Sequence, residues 1–184
     1  SGSVTMGNSV TIYTNRASSS FTHNIYYQYG STGWITIATG VATSYTWTVP
    51  TSFANDTPNS TSLGVNIIQE TYASGTYIGA KSVGMTANVP SSYVPVINSD
   101  TLSETVSGIA AKFGGYVQSK SKIQGVVSAS GSHGSTISSY SSNTNSQSFS
   151  SSTFTTNELV NSGSQNVSTT VTDSRGRTSS TTTT

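Results

Sequence analysis

The sequence predicts an all-β protein made of two tandem antiparallel β-sandwich domains, residues 1–90 and 91–184, joined by a short proline-containing linker. Three observations carry this prediction. Short runs of period-two alternation, rich in Thr, Tyr, Val and Ile, recur along the chain, which is the pattern of half-buried strands. Clusters of Gly, Asn, Asp and Ser separate those runs at turn-like intervals. Finally, Val89-Pro90-Ser91-Ser92-Tyr93-Val94-Pro95 places two prolines around a polar stretch, biasing the residues before them towards extended backbone and stiffening the connection.

In the first domain Val10 and Ile12 share a face, as do Ile25, Tyr27 and Tyr29. Ile35 and Ile37 follow, then Tyr45, Trp47 and Val49, then Val65 and Ile67. Turns fall at Gly30-Ser31-Thr32-Gly33, Ala38-Thr39-Gly40 and Asn55-Asp56-Thr57-Pro58-Asn59. Ala73-Ser74-Gly75 between Thr71-Tyr72 and Tyr77-Ile78 reads as a hairpin, and a strand around Val83 to Val89 closes the domain. Trp47 and Tyr45 are expected in the core.

The second domain is poorer in aromatics, with six against eleven in the first. Val94, Val96 and Ile97 open it. Val106, Ile109, Phe113 and Val117 have near-helical spacing interrupted by Gly114-Gly115, so an irregular or briefly helical stretch is expected there. Strands are expected around Ile123, Val127 and Ala129, around Ile137 and Tyr140, and at Phe149 and Phe154. Ser141 to Ser152 is nearly all Ser, Asn and Thr and reads as an exposed hairpin. Val167 and Val171, with Thr169 between them, form one apolar stripe before Asp173-Ser174-Arg175-Gly176-Arg177. That segment reads as a tight turn. Its Asp carboxylate accepts from backbone N–H groups two residues on, and Gly176 takes positive φ without a Cβ penalty.

Ser and Thr supply roughly two residues in five, and Leu, Ile, Val and Phe roughly a fifth. Net charge is only +1, so the composition describes a thin-cored folded chain rather than a charge-expanded disordered one. Charged residues make up 7% and the seven basic ones are scattered, which excludes a duplex nucleic acid as partner. No apolar run is long enough for a helix to span a bilayer, and no membrane partner is expected. With no Cys, disulfides and thiolate metal sites are excluded. The chain begins at Ser1-Gly2-Ser3 and stops within Thr181 to Thr184, so it reads as a piece of a longer protein.

Little in the sequence points to chemistry, and no enzyme activity or cofactor is expected. His23 lies in a strand without an acidic or histidine neighbour and His133 in a turn, so both read as surface or edge residues rather than metal ligands. Serines are abundant, but none sits in Gly-x-Ser-x-Gly. The six acids fall in turns or isolated strand positions, not as a facing pair. Asp56 with Asn55 and Asn59 offers too few carboxylates for Ca²⁺ and reads as a turn residue. An internal isopeptide bond would draw on Lys112, Lys120 or Lys122 with Glu104 or Glu158, but needs a buried lysine. The aromatics remain. Trp34 follows a Gly-bounded turn and Tyr26 points opposite Ile25 and Tyr27, making these two the candidates for stacking on sugar rings.

Two sets of motifs carry a family resemblance. The first domain has Gly40-Val41-Ala42-Thr43-Ser44-Tyr45-Thr46-Trp47-Thr48-Val49-Pro50, then Glu70-Thr71-Tyr72 and Asn88-Val89-Pro90. The second has Lys120-Ser121-Lys122, Ile137-Ser138-Ser139-Tyr140 and the Asp173 to Arg177 turn. In order and spacing these resemble the siphovirus tail and minor structural proteins of unknown function found in streptococcal-type phages. The resemblance covers nearly the whole chain and implies two tandem Ig-like domains. A departure is Asn143-Thr144-Asn145-Ser146-Gln147, where relatives tend to carry a Gly-containing turn. The resemblance implies a virion component at the tail, tail tip or an appendage, exposed on the mature particle. It implies other virion or tail proteins and host cell-wall polysaccharide as partners, and brings no catalytic residues. The alternative is a spacer or stalk in a Gram-positive surface adhesin.

Overall fold

A computed structural model describes residues 2–106 and 108–184, and its backbone is almost entirely strand. The chain divides into two compact units, Ser1–Ser91 and Ser92–Thr184.

The N-terminal unit contains β1 (Ser3–Thr5), β2 (Ser9–Tyr13), β3 (Phe21–Gln28), β4 (Ile35–Val41), β5 (Ser44–Thr48), β6 (Ser62–Ala73) and β7 (Thr76–Asn88). A five-stranded sheet in the order β1-β7-β6-β3-β4 packs over the two-stranded sheet β2-β5. Alternation decides which side chains lie between them. Ile25, Val65, Ile67, Ala87 and Trp47 are buried, joined by Phe53 from a 3-10 turn at Thr51–Ala54. The Phe53 ring sits 4.6 Å from Tyr29, 5.4 Å from Tyr27 and 6.3 Å from Trp47, forming an aromatic cluster within which rings meet tilted or offset.

One pairing departs from the antiparallel expectation: β1 lies parallel to the end of β7, with Ser3 opposite Thr86 and Thr5 opposite Asn88. The chain enters beside β7, then crosses to the other sheet as β2. Met6 is buried at the crossing, and Gly7, at φ +89°, donates its N–H to the Val49 carbonyl at 2.8 Å. The β6–β7 hairpin turns at Ser74 and Gly75, both at positive φ (47° and 83°), as the right-handed twist of paired strands favours.

Tyr45 corrects the expected core. It shares a side with Trp47, yet is 40% exposed while Trp47 is buried. Tyr45 pairs with Ile12 towards the end of a two-stranded sheet five residues long, beyond the reach of the opposing layer.

The C-terminal unit contains β8 (Val96–Glu104), a one-turn helix α1 (Ile109–Phe113), β9 (Ile123–Ser130), β10 (Ile137–Thr144), β11 (Gln147–Phe149), β12 (Thr153–Thr155), β13 (Val167–Asp173) and β14 (Thr178–Thr183). Its two sheets run β12-β9-β8 and β11-β10-β13-β14. The chain crosses between them at β9–β10, β11–β12 and β12–β13, an Ig-like sandwich wiring. Helix α1 is bounded by Gly108 and Gly114 in the left-handed region (φ 77° and 72°), so glycine ends the helical spacing at both sides.

The segment 141–152 is a hairpin, but not an exposed one. Ser142 and Thr144 point inward and are buried; the Ser142 hydroxyl meets the Thr169 hydroxyl at 3.1 Å. Asn145 and Ser146, at φ 51° and 59°, make the tight turn in the left-handed region without a glycine. Thr156 Oγ1 accepts from the Ile123 N–H at 3.0 Å in the same way. Ser142, Thr156 and Thr169 therefore fill core positions with hydroxyls bonded to another hydroxyl or to backbone, while the buried Thr144 hydroxyl has no partner.

Candidate functional site

The candidate surface is the outer face of the five-stranded sheet, and the register of β3, β4, β6 and β7 builds it in rows. Gln28, Asn66 and Gly84 form one row; Thr36, Tyr26, Ile68 and Ser82 the next; Asn24, Glu70 and Ala80 a third. Side chains opposite each other in such rows stand about 5 Å apart at Cβ. Tyr26 is half-buried there, across from Ile68.

Trp34 precedes β4 and is 46% exposed. Trp34 directly precedes Ile35, the first residue of β4, which pairs with Tyr27 near the Gln28 end of β3. The loop that carries it is fixed by Thr32. Its hydroxyl donates to the Tyr29 carbonyl at 2.8 Å and accepts from the Tyr29 N–H at 3.1 Å, and its carbonyl accepts from Gln28 Nε2 at 2.5 Å. The fold therefore places Trp34 near the Gln28 end of the sheet whose outer face bears Tyr26, Gln28 and Asn66.

The face is nearly uncharged. Among the described residues of its strands, only Glu70 carries a charge outward, and its Oε2 accepts from the Tyr72 hydroxyl at 2.8 Å, which raises the Tyr72 pKa. Lys81 lies opposite Gln69, on the other side of the sheet. Asp56 acts as a turn residue should: its Oδ2 accepts from the Tyr29 hydroxyl at 2.7 Å. Burial and that hydrogen bond push the Tyr29 pKa up to about 12.

His23 is a correction. It is 2% exposed, on the inner face, and not an edge residue. Its Nδ1 lies 3.1 Å from Thr71 Oγ1 and accepts from Gln69 Nε2 at 3.0 Å, which leaves the proton on Nε2, a buried atom without a partner. Burial, then the charge of Arg16, lowers its pKa. The unfolded chain therefore binds a proton more readily than the folded one. Stability of the N-terminal unit is full above about pH 6.5 and declines as pH falls from there towards the lower folded value. Tryptophan fluorescence of urea unfolding at stepped pH should reveal the decline, and His23→Gln should remove it. An unchanged slope in the variant would exclude His23 as its source.

The other residues with chemical potential stay apart. His133 is an exposed turn residue whose ring stacks on Tyr93 at 3.5 Å. Lys112 and Lys120 are exposed and Lys122 is half-buried, so the buried lysine that an isopeptide bond requires is missing. Asp100 and Glu104 both turn inward from β8, each with one buried oxygen lacking a partner. They lie about 13 Å apart along one strand rather than across a cleft. Inward carboxylates on the outer strand of a sheet discourage other chains from pairing with it. Among the described residues no group of three or more His, Cys, Asp or Glu is placed to hold a metal ion. No helix is long and apolar enough to cross a membrane.

The sheet orders define a protein of two Ig-like β-sandwich modules. The chain belongs to a family of bacteriophage proteins, described as siphovirus protein of unknown function (DUF859), whose model matches residues 1–184. No curated protein matches the chain. Among solved structures it is similar to the fibronectin(III)-like modules of Clostridium thermocellum CbhA, at 11% identity and a TM-score of 0.33, with 98% of this chain and 85% of that one covered. At that score the fold rests on the sheet orders given above.

Sequence reasoning reached Trp34 and Tyr26 but missed Gln28, Asn66, Gly64 and Gly84. Their one sequence signal is outward phase in alternating runs. Which runs lie side by side is set by long-range pairing, as for Gln28 with Asn66.

Proposed function

We propose that this chain is a non-enzymatic component of the phage virion, in the tail or tail tip, where it acts as a structural or host-surface adhesion segment. Its partners are other tail proteins and the polysaccharide of the host cell wall, met on the outside of the mature particle. The observation that carries the adhesion part is Trp34, 46% exposed at the start of β4, the strand that pairs with the one bearing Tyr26. An exposed indole costs solubility and gains nothing in a spacer, whereas an aromatic plane suits the apolar face of a pyranose. Membership in a siphovirus family supports a phage particle over a bacterial adhesin stalk.

The test is binding of the fluorescently labelled chain, presented as a multimer, to intact streptococcal cells before and after chemical stripping of wall polysaccharide. Saturable binding that disappears on stripping is expected. Trp34→Ala and Tyr26→Ala should each weaken it by about tenfold or more. A folded multimer that fails to bind would leave a structural spacer.

A further inference from the structure

We infer that the seat of the glycan is a glycine-floored trough at the Gln28 end of the outer sheet face, and that its ligand is an uncharged polysaccharide rather than an anionic, phosphate-bearing wall polymer. This rests on the glycan reading above and narrows it. The trough encloses about 610 Å³ at the end of the outer face, lined by Gln28, Asn66, Gly64, Gly84 and Thr86. That volume falls in the range of small-ligand sites.

The glycines carry the first argument. Glycine inside a strand destabilises it relative to alanine, because it loses more backbone freedom and packs nothing. That cost is usually justified by positive φ or by crowding. Neither applies here. Gly64 and Gly84 lie outside the left-handed region; a Cβ on Gly64 would meet nothing within 4 Å, and one on Gly84 would meet only Asn66 Oδ1 at 3.6 Å, an ordinary contact. The fold would accept side chains at both positions. Their absence keeps the sheet surface open and lets a ligand approach the backbone.

The second argument is chemical. A sugar hydroxyl donates and accepts at once, and a side-chain amide does the same. Among the described residues the Asn66 amide makes no hydrogen bond within the chain, and Gln28 spends one donor on Thr32, leaving its Oε1 for a ligand. A phosphate polymer asks for Arg or Lys. The described strands of this sheet turn none outward, and the one outward charge is the carboxylate of Glu70. The trough therefore matches neutral hydroxyls and offers a phosphate no cationic side chain.

The experiment uses wall polymers released from streptococcal cells, separated by anion exchange into neutral and anionic fractions, and titrated against the 184-residue chain. The neutral fraction should bind, with little dependence on added salt. Asn66→Ala and Gly84→Val should weaken that binding by about tenfold. Because neither glycine is needed sterically, Gly84→Val should keep or raise the wild-type thermal midpoint. In the unaltered protein the Asn66 side-chain amide resonances should shift on titration, a readout free of any folding defect. Salt-sensitive binding of the anionic fraction alone would overturn the inference and leave the glycan reading intact. So would wild-type affinity in both trough variants while Trp34→Ala loses binding. Failure to bind intact cells at all would remove the glycan reading itself, and this inference with it.

Discussion

Replacing Asp173 by alanine is expected to destabilise the C-terminal unit by about 2–4 kcal/mol, the cost of leaving two buried backbone N–H groups without their acceptor. Asp173 is 1% exposed, and its Oδ1 accepts from two backbone N–H groups, Arg175 at 3.0 Å and Arg177 at 2.9 Å. Truncation strands both donors and removes the carboxylate charge beside the buried Arg175 guanidinium, whose pKa burial lowers and Asp173 raises. Arg175 cannot shed its proton to escape. Its NH1 and NH2 donate to the carbonyls of Ser132 and His133, so the β9–β10 turn is held through the same residue. Arg177 likewise donates to the Tyr93 carbonyl at 3.0 Å, tying the start of the unit to its last hairpin. Asp173→Asn, which keeps an acceptor at the same place, should cost distinctly less. The measurement exploits an asymmetry of the sequence: both tryptophans, Trp34 and Trp47, are in the N-terminal unit. Urea unfolding followed by tryptophan fluorescence should barely move, while the far-ultraviolet circular dichroism transition of the other unit shifts to lower urea. A loss under about 1 kcal/mol would mean that water replaces the carboxylate and that the turn is not a closed network.

That turn was legible because its geometry is local. An Asx-type acceptor, a glycine at φ +79° and a valine stripe two residues apart all lie within a dozen positions. The hairpins at Ser74-Gly75 and Asn145-Ser146 are legible for the same reason. Alternation also gave the inward phase of Ile25, Val65 and Ile67. It failed where burial depends on what lies opposite. Tyr45 has the right phase and no cover, and His23 has a polar name and full cover, because Gln69 and Thr71 on β6 supply its hydrogen bonds. Composition reads Ser142 and Thr144 as exposed, whereas inward phase puts both in the core, with the Ser142 hydroxyl facing that of Thr169. The candidate site divides likewise. Exposed aromatics announce themselves by type, while the glycine floor and its amides emerge only once β3, β6 and β7 are in register.

The sharpest test of the C-terminal sandwich is a pair of changes whose effects should oppose each other. Gly125 on β9 sits directly across from Phe154 on β12, and the Phe154 ring covers the place where a side chain would be. A Cβ on Gly125 would lie 2.2 Å from the ring's Cζ, closer than any real contact. The ring cannot swing freely away, since it is buried and stacks on Phe149 at 4.5 Å. Gly125→Ala should therefore cost about 3 kcal/mol, at the upper end of overpacking, as strand and ring are pushed apart. Phe154→Ala should cost about 3–5 kcal/mol by leaving a cavity against Phe149. Simple addition predicts that the double variant is the worst of the three. Geometry predicts the reverse. With the ring gone the alanine methyl meets no obstacle, fills part of the cavity and lowers the backbone entropy cost of a strand glycine. Gly125→Ala should then be neutral or slightly stabilising in the Phe154→Ala background, a coupling of about 3 kcal/mol in the double-mutant cycle. Costs that simply add would mean that the glycine answers to the backbone rather than to the ring.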